Sequence, residues 1–346
     1  MGSRSSAGRP AHGRAGAVTA LLLGFVVAAA GCGAAEPPPT PPPPTGALAQ
    51  RLAATASGDA ASAHLEALQR IADSNGGNRA SGGPGYERSV EHVAGVLRDA
   101  GFDVATPSYD AGGGRELRNV VARTRGGDPD SVVLAGAHLD SVPEGPGIND
   151  DGTGVAALLE TALRLGPEPG TRNTVAFGFW GSEEDDLQGS TGYVDALSPD
   201  ERSAHLLYLN ADMLGSPNGG YFVQGGTGDD EEETGPSGSA AVAGVLAEEL
   251  AATGVTVERI PLYGDDDAPF AAAGIPVAGA VTGDGDSKTD DQARQWGGTA
   301  GEVYDRCYHA ACDTLGNVDP DRFDRYTRAI AATVARFADA TERPSG

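Results

Sequence analysis

Three short clusters in this 346-residue chain bring together side chains that can bind a metal or move a proton. His138 and Asp140 follow the apolar run Val132 to Ala137, Glu183 and Glu184 follow the run TVAFGFW, and Asn210 and Asp212 follow Leu206 to Leu209. Imidazole and carboxylate without thiolate suit zinc, manganese or cobalt, whereas calcium takes oxygens alone. One zinc needs three protein ligands, and more candidates than that are present. Two metals about 3.5–4 Å apart, bridged by one carboxylate, fit the count better.

The spacing within each cluster divides the work. His138 and Asp140 stand at i and i+2 on a strand end, hence on the same side, so the aspartate can accept the free ring N–H and fix the tautomer. Glu183 and Glu184 are adjacent and point apart, so one can hold metal while the other faces substrate as a general base. Each cluster alone has a plainer reading: a surface histidine beside a loop acid, or two glutamates complementing a helix dipole. Other chemistries lack their motifs. The sequence contains no G-x-S-x-G and no H-E-x-x-H. Gly152 to Ala157 matches G-x-G-x-x-A but begins more than ten residues past the preceding strand, too far for a dinucleotide-binding turn.

The elements that must position these clusters are legible from periodicity. Leu65, Leu68 and Ile71, and then Val90, Val93 and Leu97, recur at helical spacing on either side of a loop from Asn75 to Gly85. Strands are expected at Val120 to Ala122, Val132 to Ala137, Val175 to Phe179, Leu206 to Leu209 and Ile275 to Val281. Helices are expected at Val155 to Leu165, Ala240 to Ala252 and Phe323 to Ala338. Alternating strands and helices argue for an α/β sheet, largely parallel at its centre, with helices on both faces. In such sheets the site lies beyond the carboxyl ends of the strands, where all three clusters fall. The acidic stretch Asp229 to Glu233 has no apolar frame and reads as a solvated loop.

Composition narrows the partners. The formal charge is −25, and removing residues 1–31 takes away three arginines and no acid, leaving −28. Nucleic acid is an unsuitable partner for such a surface. Arg4, Arg9 and Arg14 precede an apolar run from Ala15 to Ala30, shorter than a membrane span and followed by small residues, which reads as an export signal over 1–31. Ala29-Ala30-Gly31-Cys32 resembles a bacterial lipobox, with Cys32 as the lipidated residue, against ordinary secretion with cleavage nearby. Residues 32–46 read as a stiff proline-rich linker and 47–346 as one large domain. The remaining cysteines, Cys307 and Cys312, form an even pair that reads as a disulfide closing a short loop, since a zinc pair would need two more soft ligands.

Taken together, GAHLDSV, GPGINDDGTG, FWGSEEDDLQGS, YLNADMLGSPN and QWGGTAGEVYDRCYHAACD resemble the M28 family of zinc aminopeptidases, in the same order from about Leu65 to Phe337. The resemblance implies a three-layer αβα zinc-dependent exopeptidase fold around a mixed, mostly parallel sheet. It implies two Zn²⁺ per chain, with His138 and Asp212 on one, Glu184 and His309 on the other, and Asp150 bridging. It further implies a cis peptide bond between Asp150 and Asp151, Glu183 as general base, Tyr308 as hydrogen-bond donor to the developing oxyanion, and Asp140 orienting His138. The Cys307–Cys312 bridge would brace Tyr308 and His309. The expected activity is release of the amino-terminal residue, with a large hydrophobic side chain, from peptides with a free amino terminus. Glu183, Asp212 and a carbonyl near Gly264 would receive the α-ammonium group. The protein is expected to act as a monomer that touches membrane only through its lipid anchor.

Two departures from the family pattern stand out. Asp265-Asp266-Asp267 replaces a stretch that ordinarily carries a histidine, which bears on the amine pocket, and Val281 stands where an aromatic wall is usual. A family calcium site is not expected, because Asp324 matches one of its acids but Arg328 occupies another's place. His64, His92 and His205 read as structural or exposed, and Trp180 and Trp296 as packing residues. The rival readings are a glutaminyl cyclase on the same fold, working with one zinc, and a surface binding module that has lost catalysis.

Overall fold

The apolar runs form an eight-stranded sheet. In chain order the strands are β1 (Asp103–Ala105), β2 (Ser108–Asp110), β3 (Glu116–Arg118), β4 (Val120–Arg123), β5 (Asp128–His138), β6 (Asn173–Trp180), β7 (His205–Ala211), β8 (Phe222–Gln224), β9 (Glu258–Ile260) and β10 (Val277–Val281). The computed structural model describes residues 46–345, so the export signal, Cys32 and the proline stretch lie outside the described residues. The sheet order is β1-β4-β6-β5-β7-β10-β8-β9, and β2 pairs with β3 in a separate ribbon. The four central strands, β6, β5, β7 and β10, run parallel, and antiparallel pairing enters where β4 meets β6 and β8 meets β10.

Alternation along the buried strands fills two cores. From β5, Val133, Ala135 and Ala137 join one apolar cluster while Val132 and Leu134 join the other. The first cluster is closed by the helices Gly58–Ser74, Pro84–Asp99, Gly152–Leu165, Ser239–Ala252 and Pro320–Ala338. The second is closed by Val194 and Tyr193 of the helix Gln188–Ala196 and by Phe270 of Ala268–Ala272. Helices therefore cover both faces, giving the αβα layering expected. Among the described residues no helix is long and apolar enough to cross a membrane.

Trp180, at the end of β6, shows how the core fixes the strand end. A Cβ at Gly136 or Gly178 would lie 2.5 and 2.1 Å from its indole, so glycine is required at both positions. The indole N–H donates to the Tyr208 hydroxyl at 2.9 Å, which donates to Asn210 Oδ1 at 2.8 Å, and Tyr208 stacks on Phe270 at 3.9 Å. This chain of hydrogen bonds spans β5 and ties together β6 and β7, the two strands that flank it.

Two local expectations change. The acidic stretch is not all loop, because Asp230 caps a one-turn helix, Glu231–Thr234, by accepting the Glu233 N–H at 3.1 Å. Capping and the favourable field at a helix amino terminus substitute for the missing apolar face. Glu183 and Glu184 do not start a helix either, since the next one begins at Gln188.

Candidate metal centre and active site

The carboxyl ends of β5, β6 and β7 deliver the three clusters to one edge of the sheet. His138 ends β5 and is buried, Glu183 and Glu184 follow β6 in a turn, and Asp212 follows β7. Asp150 and Asp151 arrive from the loop after β5, joined by a cis peptide bond. Asp151 then caps the helix Gly152–Leu165, its Oδ1 accepting the N–H of Gly154 at 2.8 Å and of Met213 at 3.3 Å.

Asp150 sits between two imidazoles. His138 Nε2 is 3.0 Å from Asp150 Oδ1 and 3.8 Å from Asp212 Oδ1. His309 Nε2 is 3.2 Å from Asp150 Oδ2 and 2.9 Å from Glu184 Oε2. Asp140 lies behind His138, with Oδ1 3.5 Å from Nδ1, and the same oxygen accepts the Glu183 N–H at 3.2 Å. The donors of His138, Asp150 and Glu184 lie within 4.8 Å of one another, as do those of His138, Asp151 and Asp212. Because one Asp151 oxygen is already engaged in capping, Asp150 is the better-suited shared carboxylate.

The residues present fit a metal. The donor set is nitrogen and oxygen, and Glu184 Oε1 and Asp212 Oδ1 are buried without a hydrogen-bond partner. The electrostatics agree. Burial would depress the His138 imidazole, but Asp140, Asp150 and Asp212 outweigh it and hold the ring well above its ordinary value. Hydrogen bonds to Asp150 and Glu184 lift His309 to about 10. Burial opposes the charge on Asp150, yet the two imidazoles keep its carboxyl well below the usual range. Burial pushes Glu183, Glu184 and Asp212 upward. So many buried carboxylates around two imidazoles require positive charge, which protons or a divalent cation can supply.

Three residues at this edge hold the left-handed conformation although none is glycine: Ser182 before Glu183, Met213 after Asp212, and His309 itself. That backbone is uncommon for such side chains and is kept where neighbours over-determine it. For Ser182 the neighbours are Ser81, which accepts its N–H at 2.7 Å, and Tyr109, whose hydroxyl is 3.0 Å from Ser182 Oγ.

A cavity of about 520 Å³ opens over the cluster, and Asp150, Glu183, Asp212, Tyr308 and His309 all line it. Tyr308 stacks on His309 at 3.9 Å, and Cys307 and Cys312 are disulfide-bonded on either side of the pair. Gly264, expected at the substrate amine, lines a neighbouring hollow with Asp267 instead. Arg328 donates to Asp324 at 2.7 Å, and the other Asp324 oxygen accepts the Gly58 N–H at 2.8 Å, which leaves that carboxylate fully engaged.

Sequence reasoning missed the supports. The buried Arg79 donates to the carbonyls of Leu139, Pro146 and Gly147, pinning the loop that leads to Asp150. Asp313 accepts the N–H groups of Asn149 and Asp150, and Asn149 Nδ2 donates to Asp305 at 2.7 Å. The only available signal was position: Asp313 closes the CYHAACD segment and Asp305 precedes it.

Residues 119–334 match the family model described as Peptidase family M28. The leupeptin-inactivating enzyme 1 of Streptomyces exfoliatus is 44% identical over 290 residues, 82% of this chain and 63% of that protein. The "Probable lipoprotein aminopeptidase LpqL" of Mycobacterium tuberculosis is 43% identical over 239 residues, 67% of this chain and 47% of the relative. This chain thus spans less than two thirds of the length of either relative. An aminopeptidase from Aneurinibacillus sp. strain AM-1 superposes with a TM-score of 0.65 at 15% identity, covering 86% of this chain and 98% of that one, which establishes a shared fold.

Proposed function

Because this chain belongs to peptidase family M28, we propose that it is a binuclear zinc aminopeptidase, exported from the cell, that removes the amino-terminal residue from peptides. What carries this reading is the Asp150 carboxylate, whose two oxygens face two separate imidazole-carboxylate pairs at 3.0 and 3.2 Å. His138 and Asp212 would hold one zinc and Glu184 and His309 the other, with Asp150 shared. Bound zinc supplies Lewis acidity, polarising a carbonyl and making water a usable nucleophile near neutral pH.

The chain's own residues do the rest. Glu183 lies on the cavity wall with its main chain tied to Asp140, so its carboxylate can take a proton from the attacking water and return it to the departing amine. The Tyr308 hydroxyl, on the same wall, donates to the oxyanion that develops on the scissile carbonyl. Asp140 orients His138 through Nδ1. Glu183 and Asp212 can receive the substrate's α-ammonium group. The cavity has no arginine or lysine in its lining to receive an α-carboxylate, which favours amino-terminal over carboxy-terminal trimming.

A large apolar first residue would meet Met213, Phe222 and Val281, which line the cavity. Export rests on the leader over 1–31, and anchoring at Cys32 is supported by the mycobacterial relative whose name describes a lipoprotein. The enzyme would act as a monomer. The deciding experiment is hydrolysis of leucine p-nitroanilide against its amino-acetylated analogue, with zinc measured on the same sample. Cleavage of the free-amine substrate alone, with about two zincs per chain and loss on chelation, is expected. Equal cleavage of both substrates, or one zinc with cyclisation of an amino-terminal glutamine, would overturn the proposal.

A further inference from the structure

The wall of the cavity away from the metal cluster has a composition that a purely apolar substrate does not explain. Besides Asp150, Glu183 and Asp212, four further carboxylates line it: Glu258, Asp265, Asp284 and Asp286. None of the four is ion-paired among the described residues, and no lysine or arginine lines the cavity. Their partners are neutral donors. Gln292 Nε2 donates to Glu258 at 3.2 Å, Gln224 Nε2 to Asp265 at 3.1 Å, and the Asp286 N–H to Asp284 at 3.0 Å. Gln224 is itself buried, lines the cavity, and keeps its amide oxygen without a partner. Beside these groups Met213, Phe222, Val281 and Tyr304 form a small apolar cluster with Ile260 against it.

From this arrangement we infer that the cavity selects peptides whose first residue is lysine or arginine, the aliphatic stem lying on the Met213, Phe222 and Val281 wall and the cationic head meeting Glu258, Asp284 and Asp286. Selection of this kind presupposes the aminopeptidase reading and refines its side-chain preference. A leucine side chain would cover the apolar wall but leave nearby carboxylates partly desolvated with no compensating charge, which is costly. A lysine or arginine satisfies both surfaces, because these side chains pair an apolar stem with a charged tip. The four carboxylates converge on one place. Burial, followed by Asp286, Asp284, Asp265 and Glu258, drives the Tyr263 phenol above its ordinary value at the rim. Two come from the segment GDGDSK, where Asp284 and Asp286 alternate with glycine shortly after β10; Glu258 starts β9, and Asp265 follows the end of that strand.

The test compares lysine, arginine and norleucine p-nitroanilides on the zinc-loaded full chain, norleucine matching the stem of lysine without its charge. The expected result is a kcat/KM for lysine at least about tenfold above norleucine at low salt, shrinking in about 0.5 M sodium chloride. In the double variant Glu258→Gln with Asp286→Asn, the lysine-to-norleucine ratio should fall toward one. Because the ratio is taken within one protein, partial misfolding of the variant does not alter it. Norleucine cleaved as fast as lysine by the unaltered enzyme would overturn the selectivity while leaving the aminopeptidase reading standing. Failure to cleave any of the three would overturn both.

Discussion

Asp313 and Asp150 are tied through the main chain: one oxygen of the Asp313 carboxylate accepts the Asp150 N–H at 3.0 Å, and the other accepts the Asn149 N–H at 2.8 Å. Asp313 follows the disulfide loop that carries His309, and the Asp150 carboxylate faces His309. The two segments that meet across the proposed second metal are therefore held in register by a carboxylate that touches neither imidazole.

Substituting Asp313→Asn leaves one acceptor for two donors. The expected outcome is zinc affinity weaker by roughly 10- to 100-fold, the usual cost of losing a group that orients a ligand, with the fold retained. Titration with a competing chelator, alongside circular dichroism, measures both. Unchanged affinity would mean that Arg79 and Asp305 suffice to hold the loop.

Glu183→Gln keeps the shape of the turn after β6 and removes a proton acceptor. Turnover should fall by roughly 100- to 10,000-fold while zinc content stays the same. A variant that retains full activity would remove Glu183 from the role of base.

The disulfide closes a loop with a sequence separation of 5, and a loop this short contributes about 2 kcal/mol in the chain-entropy picture. Its larger effect should be local, since Tyr308 and His309 lie inside it. Paired Cys307→Ser and Cys312→Ser substitutions are expected to reduce zinc affinity and kcat more than they lower the melting temperature. A loss of stability alone, with affinity and kcat preserved, would assign the bridge to folding only.

Far from the metal cluster, burial and then the neighbouring His92 push His64 down from 6.5 to about 4, with the two rings 6.4 Å apart. Between those two values the unfolded chain binds a proton that the folded chain does not. Stability should therefore decline as pH falls from about 6.5 toward 4 and gain nothing from this site above 6.5. Urea unfolding across this range should show a shallower acid-side loss for His64→Gln than for the unaltered chain. Parallel curves would show that the ring titrates alike in both states.

The parts of the site that residue patterns alone revealed share one trait: they are encoded locally, whereas Asp150, Tyr308 and His309 were legible only through the family resemblance. Long apolar runs announce β5, β6 and β7, and the polar residues directly after each run are those that reach the cluster. What escaped notice acts across distant segments. Arg79 binds carbonyls of residues 139 to 147, and its type and setting look the same as those of a surface arginine in the loop before a helix. The helix Glu231–Thr234 escaped because one capping carboxylate, with no apolar periodicity, defines it. The acids Asp284 and Asp286 carry no signal in the sequence, because only the pairing of β8, β9 and β10 brings them over the same cavity as Glu258.

His138 and His309 are 171 residues apart in the sequence, yet each faces the same carboxylate. The meeting requires β5, β6 and β7 to be paired and the Cys307–Cys312 segment to be docked, through Asp313, on the main chain of Asn149 and Asp150. Any chemistry that needs both imidazoles is therefore confined to the folded chain. If the chain is the exported aminopeptidase proposed, it stays inert toward peptides until those two segments have met.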